Sequence, residues 1–137
     1  MRKALGSLLL ILPSLLFAMG GQPTVSALIP AKLVDKTGKV HQTVSLVCND
    51  RTYFTFKDGA VEVKVPFENI KKLIVLRKEG EYLKVKVIFK DNNFKLFLIP
   101  ANTICTGATK YGSIEVYLED LKKIEFLNID SPKGEKG

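Results

Sequence analysis

The side chains best suited to chemistry in this 137-residue sequence are two cysteines, one histidine and a set of carboxylates on turns. A cysteine nucleophile needs a thiolate with a base beside it. His41 is the single histidine and precedes Cys48 by seven positions, an odd spacing that puts the two on opposite faces of one strand. No Cys-x-x-Cys pair is present to form a redox centre. An even cysteine count in an exported chain points instead to a disulfide between Cys48 and Cys105. Closing a loop of that length would stabilise the fold by about 4 kcal/mol in the chain-entropy picture. The competing reading is two buried free thiols acting as small apolar side chains. If the bridge forms, the segments 49–52 and 101–107 meet at one end of the molecule as a working surface.

The carboxylates give a second chemistry to weigh. Paired acids can hydrolyse glycosides, and Asp58, Glu68, Glu119 and Asp120 all fall on turns. Their neighbours Glu62, Glu115 and Glu125 alternate with apolar residues, which is the pattern of a solvated face. The sequence holds no calcium-loop spacing, no phosphate-cradling glycine loop and no nucleophile elbow. We therefore expect no metal site and no cofactor, and a non-catalytic role ahead of a small envelope hydrolase working through turn acids.

The formal charge is +7, and its placement narrows the partners. Residues 28–79 carry ten lysines and arginines against six acids, whereas residues 80–130 carry seven of each. Excess positive charge suits an anionic partner such as lipid headgroups. Lysines interleaved with glutamates also keep strand edges from pairing. Nucleic acid is not expected, because Arg51 and Arg77 are the only arginines beyond Arg2.

The elements that must position these groups begin after a leader. Arg2 and Lys3 precede an apolar run with no charge before Lys32, and Val25-Ser26-Ala27 offers small residues for cleavage. This is the three-part pattern of a secretory signal peptide, and Pro13 and Ser14 interrupt a stretch already short for a bilayer span. Cleavage after Ala27 removes two cations and leaves 110 residues with a net charge of +5. We expect a signal peptide over 1–27, one domain over 28–130, a flexible tail over 131–137, and a periplasmic or extracellular location.

The domain is written in the period of two that marks half-buried strands. Leu83, Val85, Val87 and Phe89 alternate with Lys84, Lys86, Ile88 and Lys90. Strands are predicted near 28–34, 40–47, 52–57, 61–66, 72–78, 82–90, 94–99, 103–108, 113–118 and 123–129. Residues 63–75, VKVPFENIKKLIV, are echoed by residues 114–126, IEVYLEDLKKIEF, at a constant offset of 51. Each copy reads strand, one polar turn, strand. Aligning Gly59 with Gly112 puts two extra residues into the first copy. The expected fold is all-β: a compact antiparallel barrel or sandwich made of two related β-units, about 28–79 and 80–130. Residues 73–76 and 94–99 are apolar on nearly both faces. Packing between the two units accounts for this first, and self-association or docking to an envelope protein second.

Residues 110–126, KYGSIEVYLEDLKKIEF, resemble small β-barrel or β-roll segments, loosely Sm-like, of uncharacterised exported bacterial proteins. The resemblance implies a small β-fold and an exported address and brings no catalytic residues. Together these readings predict an exported, non-catalytic binding or structural module of the cell envelope. The alternatives are the turn-acid hydrolase and a weak binder of anionic membrane surfaces.

Overall fold

The computed structural model describes residues 28–127; the leader expected over 1–27 and the tail expected over 131–137 lie outside the described residues. Eleven strands follow one another: β1 Ala31–Asp35, β2 Val40–Thr43, β3 Ser45–Cys48, β4 Tyr53–Asp58, β5 Val61–Pro66, β6 Ile70–Glu79, β7 Tyr82–Phe89, β8 Phe94–Pro100, β9 Ile104–Thr109, β10 Gly112–Tyr117 and β11 Leu121–Phe126. One 3₁₀ turn, Phe67–Asn69, links β5 to β6, and another, Leu118–Asp120, links β10 to β11. The all-β expectation holds. Of its two architectures the barrel is ruled out: the strands form an eight-stranded sheet, in the order β2-β1-β11-β6-β7-β8-β4-β5, and a three-stranded sheet, β10-β9-β3. All pairings are antiparallel.

The strand period sets which face is buried. On β7, Leu83, Val85 and Val87 are buried in the core, while Lys84 and Lys86 point to the other side. Phe54 and Phe56 of β4 supply the largest buried volume with Phe67 from the first 3₁₀ turn. Phe54 contacts Phe56, Phe67 and Phe126, and Phe56 stacks on Phe97 with ring centroids 4.7 Å apart. Offset and tilted aromatic contacts of this kind add to the burial of area itself.

The two echoing segments occupy matched places. The Phe67 amide donates to the Thr52 carbonyl, and the Leu118 amide, 51 positions on, donates to the Thr103 carbonyl. Leu73 of β6 lies opposite Ile124 of β11, again 51 positions apart, so these two strands pair across their own counterparts. The pairing Asp58↔Val61 closes a two-residue turn, as does Thr109↔Gly112. The offset therefore stays 51 through the turns, and the two extra residues inferred from aligning the glycines do not exist. The glycines do different work. Gly59 is inside its turn at φ +65°, whereas Gly112 follows its turn at φ +151°.

The strand expected over 40–47 is two strands broken at Val44. Thr43 is buried and its hydroxyl donates to the Ala31 carbonyl at 3.2 Å, while the Val44 amide turns to the Ala108 carbonyl at 2.9 Å. The chain changes sheets at this corner. A Cβ on Gly107 would lie 2.7 Å from the Thr43 methyl group, so the corner can form only against a residue with no side chain.

Candidate functional site: a cationic sheet face and its groove

Cys48 and Cys105 are directly opposed on β3 and β9, with Cα atoms 4.0 Å apart and the sulfurs bonded. Beyond Cys48 the chain reverses through Asn49 and Asp50, both in the left-handed region at φ 52° and 60°. Asn and Asp tolerate that conformation better than other side-chain-bearing residues, and the Cys48–Arg51 backbone bonds close the turn. The Asn49 amide donates to the Ile104 carbonyl at 2.7 Å, and the Ile104 amide donates to Asn49 Oδ1 at 3.1 Å. Segments 49–52 and 101–107 thus meet as expected. Only part of the second is open surface, because Ala101, Thr103, Cys105 and Gly107 are buried.

His41 is partnered by an acid, and both cysteine sulfurs are spent in the disulfide. The His41 Nε2 lies 2.9 Å from Asp35 Oδ2 on the neighbouring strand. Asp35 also accepts from the Thr37 hydroxyl and from the Thr37 and Lys39 amides. The hydroxyl of Thr37 first, and then His41, hold this carboxyl well below the usual carboxylate range. The turn acids considered for hydrolysis are dispersed: Asp58 pairs with Lys95 at 2.9 Å and Glu119 with Lys78 at 3.1 Å, each on its own turn. Glu68 and Asp120 sit on the two separate 3₁₀ turns. Among the described residues, no group of three or more histidines, cysteines and acids is placed to hold a metal.

What the sequence did not reveal is a groove of about 380 Å³ that runs along β4 beside the disulfide. Arg51, Tyr53, Lys57, Lys64 and Tyr82 line it, with Glu62 as its acid. Arg51 lies 5.7 Å and Lys64 6.0 Å from the centroid of Tyr53, and Lys57 lies 5.4 Å from that of Tyr82. Among the described residues, none of these three cations has a carboxylate within ion-pairing distance. The tyrosine faces hold them instead.

Lys57, which lines the groove, also belongs to the outer face of the eight-stranded sheet, whose side chains are fixed by register. One rung reads Glu125, Lys72, Ile88, Phe94 from β11 to β8. The next reads Lys123, Ile74, Lys86, Leu96 from β11 to β8. A third reads Arg77, Lys84, Leu98, Lys57 from β6 to β4. Phe94 is 60% and Leu96 43% exposed. The apolar residues of 73–76 and 94–99 therefore divide. Leu73, Phe97 and Ile99 are core, but Phe94 and Leu96 are not covered by the other unit, which corrects the expectation that inter-unit packing buries them. Alternating lysines and aliphatics were visible strand by strand; their assembly into one face depends on pairings between distant segments.

Among the described residues, no helix is long and apolar enough to cross a membrane. A family model described as "Uncharacterised protein" matches residues 26–128. A protein of Aquifex aeolicus (strain VF5), also described as uncharacterized, is 33% identical over 139 aligned positions that cover 99% of this chain and all of that one. The match spans both echoing units, the disulfide cysteines and the groove, and on it the chain belongs to this uncharacterised protein family.

Proposed function

We propose that the chain is an exported, non-catalytic binding module of the cell envelope, periplasmic or extracellular, that works after removal of residues 1–27 as one domain of two related units. The observation that carries this reading is the bond between Cys48 and Cys105, directly opposed across two strands. Such bonds persist in oxidising compartments and are rare in reducing ones. The basic start and apolar run of residues 1–19 supply the matching address. Binding is favoured over catalysis because the open surface beside the disulfide presents cations held on tyrosines, while Asp58 and Glu119 are each engaged by a lysine, Lys95 of β8 and Lys78 of β6. The partner is accordingly anionic, either an envelope component or a membrane surface.

Fractionation of the source cells tests this, with N-terminal sequencing and thiol alkylation of the denatured, unreduced protein. The expected result is recovery from the envelope with a chain starting at residue 28 and no alkylatable thiol. Recovery from the cytosol with Met1 intact and two free thiols would overturn the proposal.

A further inference from the structure

We infer that the outer face of the eight-stranded sheet is a docking surface for an anionic phospholipid bilayer. This rests on the exported reading above and adds the partner and the face. The three central rungs set cations beside exposed or half-exposed apolar residues, and each acid of this face stands against a cation: Glu125 of β11 lies opposite Lys72 and Lys32, Glu79 is paired with Arg77, and Glu62 lies beyond Lys57 on the edge strand. Among the described residues, Lys84 and Lys86 have no carboxylate within ion-pairing distance. Arg77 stands directly opposite Lys84. Like charges placed opposite each other on a sheet are unfavourable in isolation and become favourable once an anion lies between them. Lys86 holds its ammonium 4.4 Å from the Phe94 ring centre, so charge and aromatic area are presented together.

This combination selects among occupants. A second copy on the same face would set lysine against lysine. A soluble polyanion would engage Lys84, Lys86 and Lys57 but leave Phe94 and Leu96 in water. An anionic bilayer satisfies both: phosphates meet the ammonium groups while the aromatic and aliphatic side chains enter the headgroup–acyl boundary. Lysine stems can lie along that apolar layer with their charges in the headgroups. Four strands at about 4.8 Å spacing give a face roughly 15 Å wide, enough for several headgroups. The groove along β4 adds Arg51 and Lys64, held around Tyr53.

The test is sedimentation of the oxidised protein, as recovered from cells, with vesicles of phosphatidylcholine alone or doped with phosphatidylglycerol. Binding is expected on the anionic vesicles and should largely disappear at roughly 1 M salt, where charges are screened beyond about 3 Å. Replacing Lys84→Gln and Lys86→Gln together should weaken it about 30-fold, each lysine near an anionic surface contributing about fivefold. Phe94→Ser with Leu96→Ser should weaken it by about tenfold. Lys110→Gln, in the turn between β9 and β10 of the three-stranded sheet, should change nothing. Unaltered thermal transitions would show that these surface variants remain folded. Equal binding to neutral vesicles, or none to anionic ones, would overturn the inference. So would full competition by soluble polyphosphate with no effect of the Phe94 and Leu96 changes, which would assign the face to a polyanion, or loss of vesicle binding in favour of an acidic envelope protein. Envelope recovery with oxidised cysteines but no vesicle binding removes the docking face alone; cytosolic recovery of a vesicle-binding protein removes the export reading alone.

Discussion

The two places where the units exchange strands solve one packing problem by opposite means. Where β4 meets β8, Phe54 and Phe56 fill the interior, and Phe56 lies flat on Phe97 with an interplanar angle of 6°. Where β9 meets β3, the residues 51 positions on are Cys105 and Gly107. Cys105 is bonded to Cys48, and Gly107 lets the Thr43 methyl group close the gap. The registers differ accordingly. Lys57 faces Leu98 at the first joint, whereas the second pairs Val47 with Thr106, and carrying that pairing back by 51 would put Leu98 opposite Thr55. The first joint is shifted by two residues relative to the second. One joint is held by aromatic volume and the other by a covalent link and close backbone approach. A repeated backbone does not require a repeated core.

The largest effect should come from emptying the aromatic joint. Phe56→Ala removes a fully buried ring and its stacking partner's contact and should cost about 3–5 kcal/mol. Chemical denaturation would measure it, and a loss below about 1 kcal/mol would mean that this joint collapses and repacks. Replacing Cys48→Ala and Cys105→Ala together should cost about 2–4 kcal/mol, mostly by freeing the unfolded chain. A Phe56→Ala protein that keeps the disulfide should also keep the Asn49–Asp50 turn, read by amide hydrogen exchange of Ile104 with and without reductant. If reduction deprotects both joints alike, the two are one cooperative unit and the contrast fails.

Gly107→Ala is the sharper probe of the disulfide joint. The added methyl would meet the Thr43 side chain at 2.7 Å and the Ser45 carbonyl at 3.1 Å, so overpacking of about 1–3 kcal/mol is expected. Pairing it with Thr43→Ser, which removes the opposing methyl, should recover part of that loss. If the double variant is no better than Gly107→Ala alone, the Thr43 contact is not what limits this corner.

These joints also mark where sequence reading succeeds and fails. The alternation in residues 82–89 announces β7 and its buried face because strand periodicity is local. The turn residues Gly59 and Asn92 are legible for the same reason, since each occupies a backbone conformation few residues tolerate. The corner at Val44 is not legible, because nothing in Thr43-Val44-Ser45 says that Gly107 will approach. Glycine alignment misled for a related reason: Gly59 and Gly112 serve different turn positions, so matching residue type displaced the register by two. The cysteine pairing followed from count and compartment. The cationic face did not follow at all, since it needs β6, β7, β8 and β4 side by side, and β4 reaches β8 only by crossing from one unit to the other.

The smallest predicted effect contrasts the turn of each unit's leading hairpin. The turns share a backbone: the Asp35 amide bonds the Lys39 carbonyl as the Phe89 amide bonds the Asn93 carbonyl, and Gly38 and Asn92 both have positive φ. Each also reaches the other unit's 3₁₀ turn, Lys36 through the Asp120 carbonyl and Lys90 through the Asn69 carbonyl. They differ in that the first turn is gathered around the carboxylate of Asp35, whereas the second has Phe89 at the corresponding place. Because the folded state holds the Asp35 carboxyl below its ordinary value of 3.8, the ionised group favours the folded chain at neutral pH. That stabilisation is fully present above the ordinary value and declines as pH falls through it toward the lower folded one. Asp35→Asn, which mimics the protonated acid, should therefore lower the thermal midpoint slightly at pH 7, the site being near the surface. The gap to the parent should narrow steadily below about pH 4. A matched change in the other turn, Asp91→Asn, tests whether this behaviour is special to the carboxylate that bridges Thr37 and His41. A gap for Asp35→Asn that stays constant between neutral and strongly acidic pH would show that the contact is steric and not ionic.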